Sequence, residues 1–437
     1  MNRRQFLHTS AAGLTLAAAP FVRAQSPARK FRTAIIGAGW WGKNILKEAM
    51  ASGRVKVVAM CDVDGNNLEV AADQVNDLSG DQPKTYKDFR ELLTKEKPEL
   101  VIVASPDHWH ALHSIAALKA GAHVFVEKPS GHTVNESRAL LRAGRETEHI
   151  VQVGLHRRIG PHHVSAMKFL REGNAGQVGS VRLFAHYAGG AEKPTPNSPP
   201  PDGMDWDLWC GPAPLRPFNT RLHPGGWRNF LDFGNGQLGD WGVHWMDQVL
   251  WWTEEKYPRR IYSVAGRPIR GAAVLNEREQ TSDAPDAQTA VFEFESFTAT
   301  WEHRRFAGNG AEKHNVGAYF YGTKGTLHIG WRDGWTFYPS DNKAKPVHED
   351  AQLQEPDGHN IKLLWADFIE GIEKKRKPVA DIERTHRSTA TVLLGMLSAK
   401  LGRSVQWDGA KEQIIGDAEA SALLSRKYRA PWEYPLV

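Results

Sequence analysis

The stretch GQLGDWGVHWMDQ, residues 236 to 248, sets an acid, an imidazole and a second acid close together as Asp240, His244 and Asp247. On a helix Asp240 and His244, four residues apart, lie on one face. Such a pair suits the handling of a single proton. A base of this kind can take the proton of a hydroxyl whose carbon gives up a hydride. The step then also needs a hydride acceptor and a group that stabilises charge forming on the oxygen. The same residues also fit an ordinary amphipathic helix packed through Trp241 and Trp245, with Asp247 as a cap or salt-bridge partner. Upstream residues must decide between the two.

From Phe31 to Ile150 the short β-branched runs RTAIIG, VKVVAMCD, LVIVAS and AHVFVE alternate with helix-length stretches. This is the pattern of a doubly wound parallel sheet. The first run enters Gly37-Ala38-Gly39-Trp40-Trp41-Gly42, a GxGxxG ahead of a helix. The first glycine permits the tight turn, the second lets a pyrophosphate approach the helix N-terminus, and the third lets helix and strand pack closely. Asp62 ends the second run 20 residues beyond Gly42, where a carboxylate binds ribose hydroxyls and repels a 2′-phosphate. NAD is therefore expected over NADP, with Asp64 beside Asp62 for the same role. Ligands of such sheets bind at the carboxyl ends of strands, where this chain places Ser105-Pro106-Asp107-His108-Trp109-His110 and Glu127-Lys128-Pro129. The expected cofactor contacts are Gly37, Gly39, Trp40, Trp41, Gly42, Asp62, Ser105, Pro106, His110, Glu127 and Lys128.

The remaining sequence bounds the organisation. At 437 residues the chain exceeds the roughly 250 to 300 at which single cores stop growing, so a second domain is expected over 151–437. There AQTAVFEFESFTATWEH and NVGAYFYGTKGTLHI alternate as half-buried antiparallel strands do. Residues 189–203 form a Pro-rich loop, and its second EKP, at Glu192 to Pro194, follows no nucleotide-binding strand and reads as surface. At the start, Arg3 and Arg4 precede a short apolar run and then Val22-Arg23-Ala24. This predicts a twin-arginine-type signal peptide over 1–24, a periplasmic destination and no membrane anchor after processing. Losing the leader's three arginines lowers the formal net charge from +5 to +2, too balanced to argue for nucleic acid. Cys61 and Cys210 allow one bridge at most. No metal site is expected, because no further ligand pair accompanies Asp240 and His244. Sixteen tryptophans are the substrate clue, since aromatic faces stack on sugar C–H faces. Trp206, Trp209, Arg221, His223, Trp227 and Arg228 precede the Asp240 stretch, and His156, Arg157, Arg158, His186 and Tyr187 sit at strand ends.

GAGWWG, SPDHWHA, EKP and, about 110 residues later, an Asp-xxx-His pair together resemble the glucose-fructose oxidoreductase, inositol dehydrogenase and rhizopine-catabolism (Gfo/Idh/MocA) family. The likeness runs from Phe31 to the end and includes GTKGTLHI (322–329) and the stretch 376–408. It implies an N-terminal Rossmann domain and a C-terminal α/β domain whose open, mostly antiparallel sheet carries the substrate site and often an oligomer interface. It further implies an NAD(P)-dependent oxidoreductase acting on a sugar or glycoside hydroxyl, with a tightly bound cofactor loaded before export and a dimeric or tetrameric assembly. Carried over residue by residue, Lys128 lies beside the nicotinamide and bonds the reacting hydroxyl, and Asp240 and His244 complete the catalytic set. His244 is expected as general base with a pKa near 6.5, and His156, Arg157, Trp227 and His244 as substrate contacts. Glucose-fructose oxidoreductase carries a tyrosine where this chain has His244. The alternative is an NAD-assisted glycosidase of the α-N-acetylgalactosaminidase-like type, which oxidises, eliminates and re-reduces.

Overall fold

Strands β1 (Phe31–Ile36), β2 (Val55–Cys61), β3 (Lys84–Tyr86), β4 (Leu100–Val103), β5 (His123–Val126) and β6 (Val151–Val153) form one parallel sheet in the order β3-β2-β1-β4-β5-β6. The computed structural model describes residues 29–254 and 257–435; the expected leader lies outside them. Every side chain of β4 is buried, as helices on both faces of a parallel sheet require. Strand order reverses between β1 and β4, which opens a crevice at their carboxyl ends. The expected doubly wound architecture is therefore present. Its boundary moves, because Val151–Val153 pairs parallel with Val124–Val126, and the first domain runs past residue 150.

The second domain adds β7 (Val178–His186), β8 (Thr195–Pro196), β9 (Arg260–Gly266), β10 (Glu279–Gln280), β11 (Ala287–Glu293), β12 (Thr298–Arg304), β13 (Val316–Gly322), β14 (Gly325–Gly330), β15 (Trp335–Pro339), β16 (Val347–Glu349), β17 (Val405–Asp408) and β18 (Gln413–Ile414). Apart from the small β8–β10 pair these form one sheet, ordered β16-β15-β14-β13-β7-β12-β11-β9-β17-β18. It is antiparallel except where β12 runs parallel to β7. Alternation is plain in β12, where Ala299, Trp301 and His303 are buried and the residues between them are not. One face thus packs on helices and the other turns away.

The helix Ile382–Leu401 packs against β9 and against the helices Val134–Glu146 and Val243–Thr253. Its small polar residues join the domains: Ser388 Oγ donates to Asp247 Oδ1 at 2.7 Å, and Ser130, just after Pro129, bonds Thr389 at 3.1 Å. Asp247 also accepts two hydrogen bonds from Arg158, both at 2.8 Å. It is a salt-bridge partner, as one of the sequence readings has it.

The Pro-rich loop differs from expectation. The Glu192 side chain is only 5% exposed and is held by Arg221, Arg267, Arg270 and Ser282, because four donors converge on its carboxylate and replace its water. Beyond the loop, Met204 bridges to Asp64 and Asp205 N donates to Val63 O at 2.9 Å. This second-domain segment therefore lies along the Rossmann crevice. Most of its aromatic residues, Trp206, Trp209, Phe218, Phe230 and Phe233 among them, pack on one another in a small core of their own.

The Arg158–Asp247 pair fixes the helix that carries His244 to the turn His156–Ile159. Removing one member strands a buried charge, which costs about 3 to 5 kcal/mol. Asp247→Ala is expected to lose that much in urea unfolding. An unchanged midpoint would show that the pair does not hold this junction.

Candidate active site

The glycine turn is built by close approach. Gly37 adopts φ +96° and donates to Cys61 O at 2.8 Å. A Cβ on Gly42 would lie 2.1 Å from Gly37 O, whereas one on Gly39 would meet nothing within 4 Å. The helix Trp40–Ala51 starts at Gly39 without a side-chain cap, so its first N–H groups face open space as a pyrophosphate cradle must. Asp62 secures the turn, accepting from Ala38 N at 2.7 Å and Asp64 N at 2.9 Å, and burial pushes its pKa up to about 6. Asp64, expected beside it for the ribose role, takes Asn66 N at 3.0 Å and faces His223 Nε2 at 3.2 Å. A cavity runs along this crevice past Gly37, Gly39, Asp62, Ser105 and Pro106, with His223, Trp227 and Arg228 closing it from the second domain. Asn67 and Lys87 also line it and were not singled out from the sequence. These residues fit a dinucleotide.

A second cavity shares Ala104, Ser105, Trp227 and Arg228 with the first. It gathers Trp40, Trp41, Glu127, Lys128, Asp240 and His244, so all three residues expected to do chemistry face one space. Lys128 Nζ lies 2.5 Å from Asp240 Oδ1 and also donates to Asp240 O at 3.0 Å. Arg228 Nε stands 3.5 Å from the same Oδ1. Burial opposes ionisation of Asp240, but Lys128 and Arg228 outweigh it and hold the carboxyl below its usual range. Asp240 does not sit on a regular α-helical turn. Leu238–Gly242 is π-wound and runs into the helix Val243–Thr253, a distortion frequent at functional sites.

The expected pKa near 6.5 for His244 is corrected. Burial, reinforced by Lys128, His156 and Arg157, holds the imidazole well below that value. Its Nδ1 is buried without a partner, and its ring meets His156 and Trp331 edge to face at 5.4 and 5.6 Å. Glu127 is pushed up to about 6 by burial. Gly154 leaves it room, since a Cβ there would fall 2.3 Å from Oε1. Asp107, on the cavity wall, is pushed by burial up to about 7.

Two further expected residues differ in their placement. His110 lines the cavity with its ring between Ser105 O and Pro129 O, each 2.6 Å from a ring nitrogen; burial pushes its pKa down to about 4, so the neutral ring donates its one N–H to one of the two carbonyls. Arg157 is wholly buried behind the wall, donating to Asp357 at 2.9 Å and Trp331 O at 3.0 Å, and does not line the cavity. The groups it supports do: Trp331, Arg332 and Asp357 come from the β14–β15 turn and the start of a late helix, where no motif marks them. Trp241 lines the cavity and Trp245 is fully buried. His156 and Trp227 are at the site as expected.

Two family models match this chain: the NAD-binding Rossmann fold of the Gfo/Idh/MocA oxidoreductases over residues 31–155, and their C-terminal α/β domain over 183–434. The chain belongs to the Gfo/Idh/MocA oxidoreductase family. Among this family's curated members, a glycosyl hydrolase family 109 protein of Stenotrophomonas maltophilia is 33% identical over 196 residues, 43% of this chain and 42% of that protein. The chain thus matches less than half the length of that relative. A D-glucoside 3-dehydrogenase of Escherichia coli is 22% identical over 387 residues, 86% of this chain and 97% of that one. Levoglucosan dehydrogenase, solved with NADH and levoglucosan, superposes with TM-score 0.65 at 19% identity, covering 86% of this chain and 99% of that one, and so shares the fold.

The burial of His244 predicts a pH profile. A base kept neutral by its surroundings stays active to lower pH, so the acid limb of kcat/KM should fall below pH 6.5 in a steady-state profile. A limb at or above 6.5 would assign the titration to another group.

Proposed function

We propose that the protein oxidises a CH–OH group of a sugar or glycoside by hydride transfer to bound NAD. The observation that carries this reading is the Lys128 ammonium, held by Asp240 where the glycine-turn crevice meets the second domain. Bound nicotinamide would supply the hydride acceptor. Lys128 Nζ binds the reacting hydroxyl oxygen and offsets its charge as the proton leaves. His244, neutral at working pH, takes that proton. Asp240 keeps Nζ in place and turns its N–H groups toward the oxygen. Trp40, Trp41, Trp227, Trp241 and Trp331 offer flat apolar faces to a sugar ring, and Asp357 and Arg332 offer partners to its other hydroxyls. Asp62 at the ribose position supports NAD over NADP. Export folded through the leader at 1–24 would fit a cofactor acquired beforehand and retained tightly in the periplasm, in a homo-oligomer.

The 33% identity to a glycosyl hydrolase family 109 protein supports a second reading, in which oxidation, elimination of the aglycone and re-reduction leave no net redox change. Purified protein should carry nucleotide detectable by mass spectrometry. A sugar panel should then reduce it stoichiometrically, seen at the reduced-nicotinamide band, with a keto sugar formed. Aglycone release with no added NAD would select the second reading. Lys128→Ala should lower kcat by about 10² to 10⁴ in either case, and full turnover would remove Lys128 from the mechanism.

A further inference from the structure

On the second domain's sheet, Leu327 and Ile329 of β14 point into the core, so His328 between them faces the opposite side. That face is turned away from the helices, yet His328 is only 1% exposed. The ring of His314, from the segment leading into β13, lies over it with centroids 3.6 Å apart and planes 20° from parallel. His314 Nδ1 is 2.8 Å from Asp333 Oδ2 in the β14–β15 turn.

Two features of this cluster are unusual for plain packing. The Nε2 atoms of both histidines are buried with no hydrogen-bond partner, a state that buried polar atoms rarely keep. Room is also kept beside the cluster. A Cβ on Gly317 would come 2.8 Å from His328 Nε2, and one on Gly330 would come 1.7 Å from Asp333 Oδ1. One ligand atom from each of His314, His328 and Asp333 lies within 4.8 Å of the others.

We propose that His314, His328 and Asp333 form a binding site for a divalent transition-metal ion of the zinc type. Two imidazoles and a carboxylate match the donor preference of zinc and its neighbours, whereas calcium and magnesium take oxygen. Bonds of about 2.0 to 2.2 Å to such ligands require the set to close slightly around the ion. The half-exposed side chain of Asp333 has the freedom to do so, with water completing the sphere. Lys313, whose Nζ donates to Tyr338 Oη at 2.9 Å, is the nearby cation that opposes binding.

The position gives the site a purpose. Asp333 lies in the turn Gly330–Gly334, closed by Gly330 N donating to Gly334 O at 2.9 Å, and the same turn delivers Trp331 and Arg332 to the catalytic cavity. A metal held by Asp333 clasps this turn to β13 and β14 from behind. This consequence rests on the reading of the cavity given above; the metal site itself does not.

The test uses tag-free, full-length protein stripped with EDTA, dialysed and titrated with zinc chloride by calorimetry, with thermal unfolding followed in parallel. A single equivalent should bind, and Tm should rise with free zinc as a ligand of the native state requires. His314→Ala and Asp333→Asn, both less buried than His328, should each weaken binding by about 10- to 100-fold or more and remove the zinc-dependent rise in Tm. Their Tm in EDTA should stay near that of the parent, which shows that they fold. Lys128→Ala should bind zinc as the parent does, so loss of hydride transfer and loss of the metal site are read separately. Absence of binding, or binding of parental affinity in both variants, overturns the proposal.

Discussion

The contact between Lys128 and Asp240 joins the two halves of the molecule at the point where chemistry is expected. The lysine follows β5, and the aspartate lies in a π-wound turn of the second domain. Neither residue has a purpose without the other. Asp240 stays ionised against its burial because Lys128 and Arg228 face it. Much of the surrounding structure keeps this contact in register. The helix Ile382–Leu401 bonds the loop after Pro129 through Thr389 and the helix Val243–Thr253 through Ser388 and Asp247.

The cavity walls combine ionised and neutral groups in a consistent way. Burial depresses His244 and raises Glu127 and Asp107, so the histidine tends to the free base and the two acids toward protonation. Two carboxylates resist that trend: Asp240, which faces two cations, and Asp357, which His156, Arg157 and Arg332 hold down at about 2 against its burial. Behind the wall, Arg157 uses its hydrogen bonds to hold Asp357 and Trp331. It acts on the cavity through what it supports.

The nucleotide-binding fold was legible in the sequence because it rests on local pattern. Glycine spacing, an acid at the end of β2 and loops after β4 and β5 follow from the geometry of a βαβ unit. The resemblance to the family, rather than that geometry, put Lys128, Asp240 and His244 in one space, and one cavity gathers them. Local pattern failed where tertiary context decides. Asp64 carries the right atoms at the right strand end, but Asn66 N and His223 engage them, and Arg157 turns to Asp357 and Trp331 O. Glu192 looked like surface because the arginines that bury it are distant in sequence. Trp331 and Asp357 had no signal, since only tertiary packing brings the β14–β15 turn and the start of the helix Pro356–Glu373 to the cavity.

Asp62 carries one last implication. Its carboxylate is shared between the nucleotide crevice and two backbone N–H groups that shape the glycine turn. With Asp62 in the ribose-binding role proposed above, cofactor choice and the framework that receives the cofactor depend on the same two oxygens. Adaptation toward a 2′-phosphorylated dinucleotide could not proceed by exchanging this acid alone, because the turn would lose its brace in the same step. The route would first need a replacement acceptor for Ala38 and Asp64, which makes discrimination here resistant to change one residue at a time.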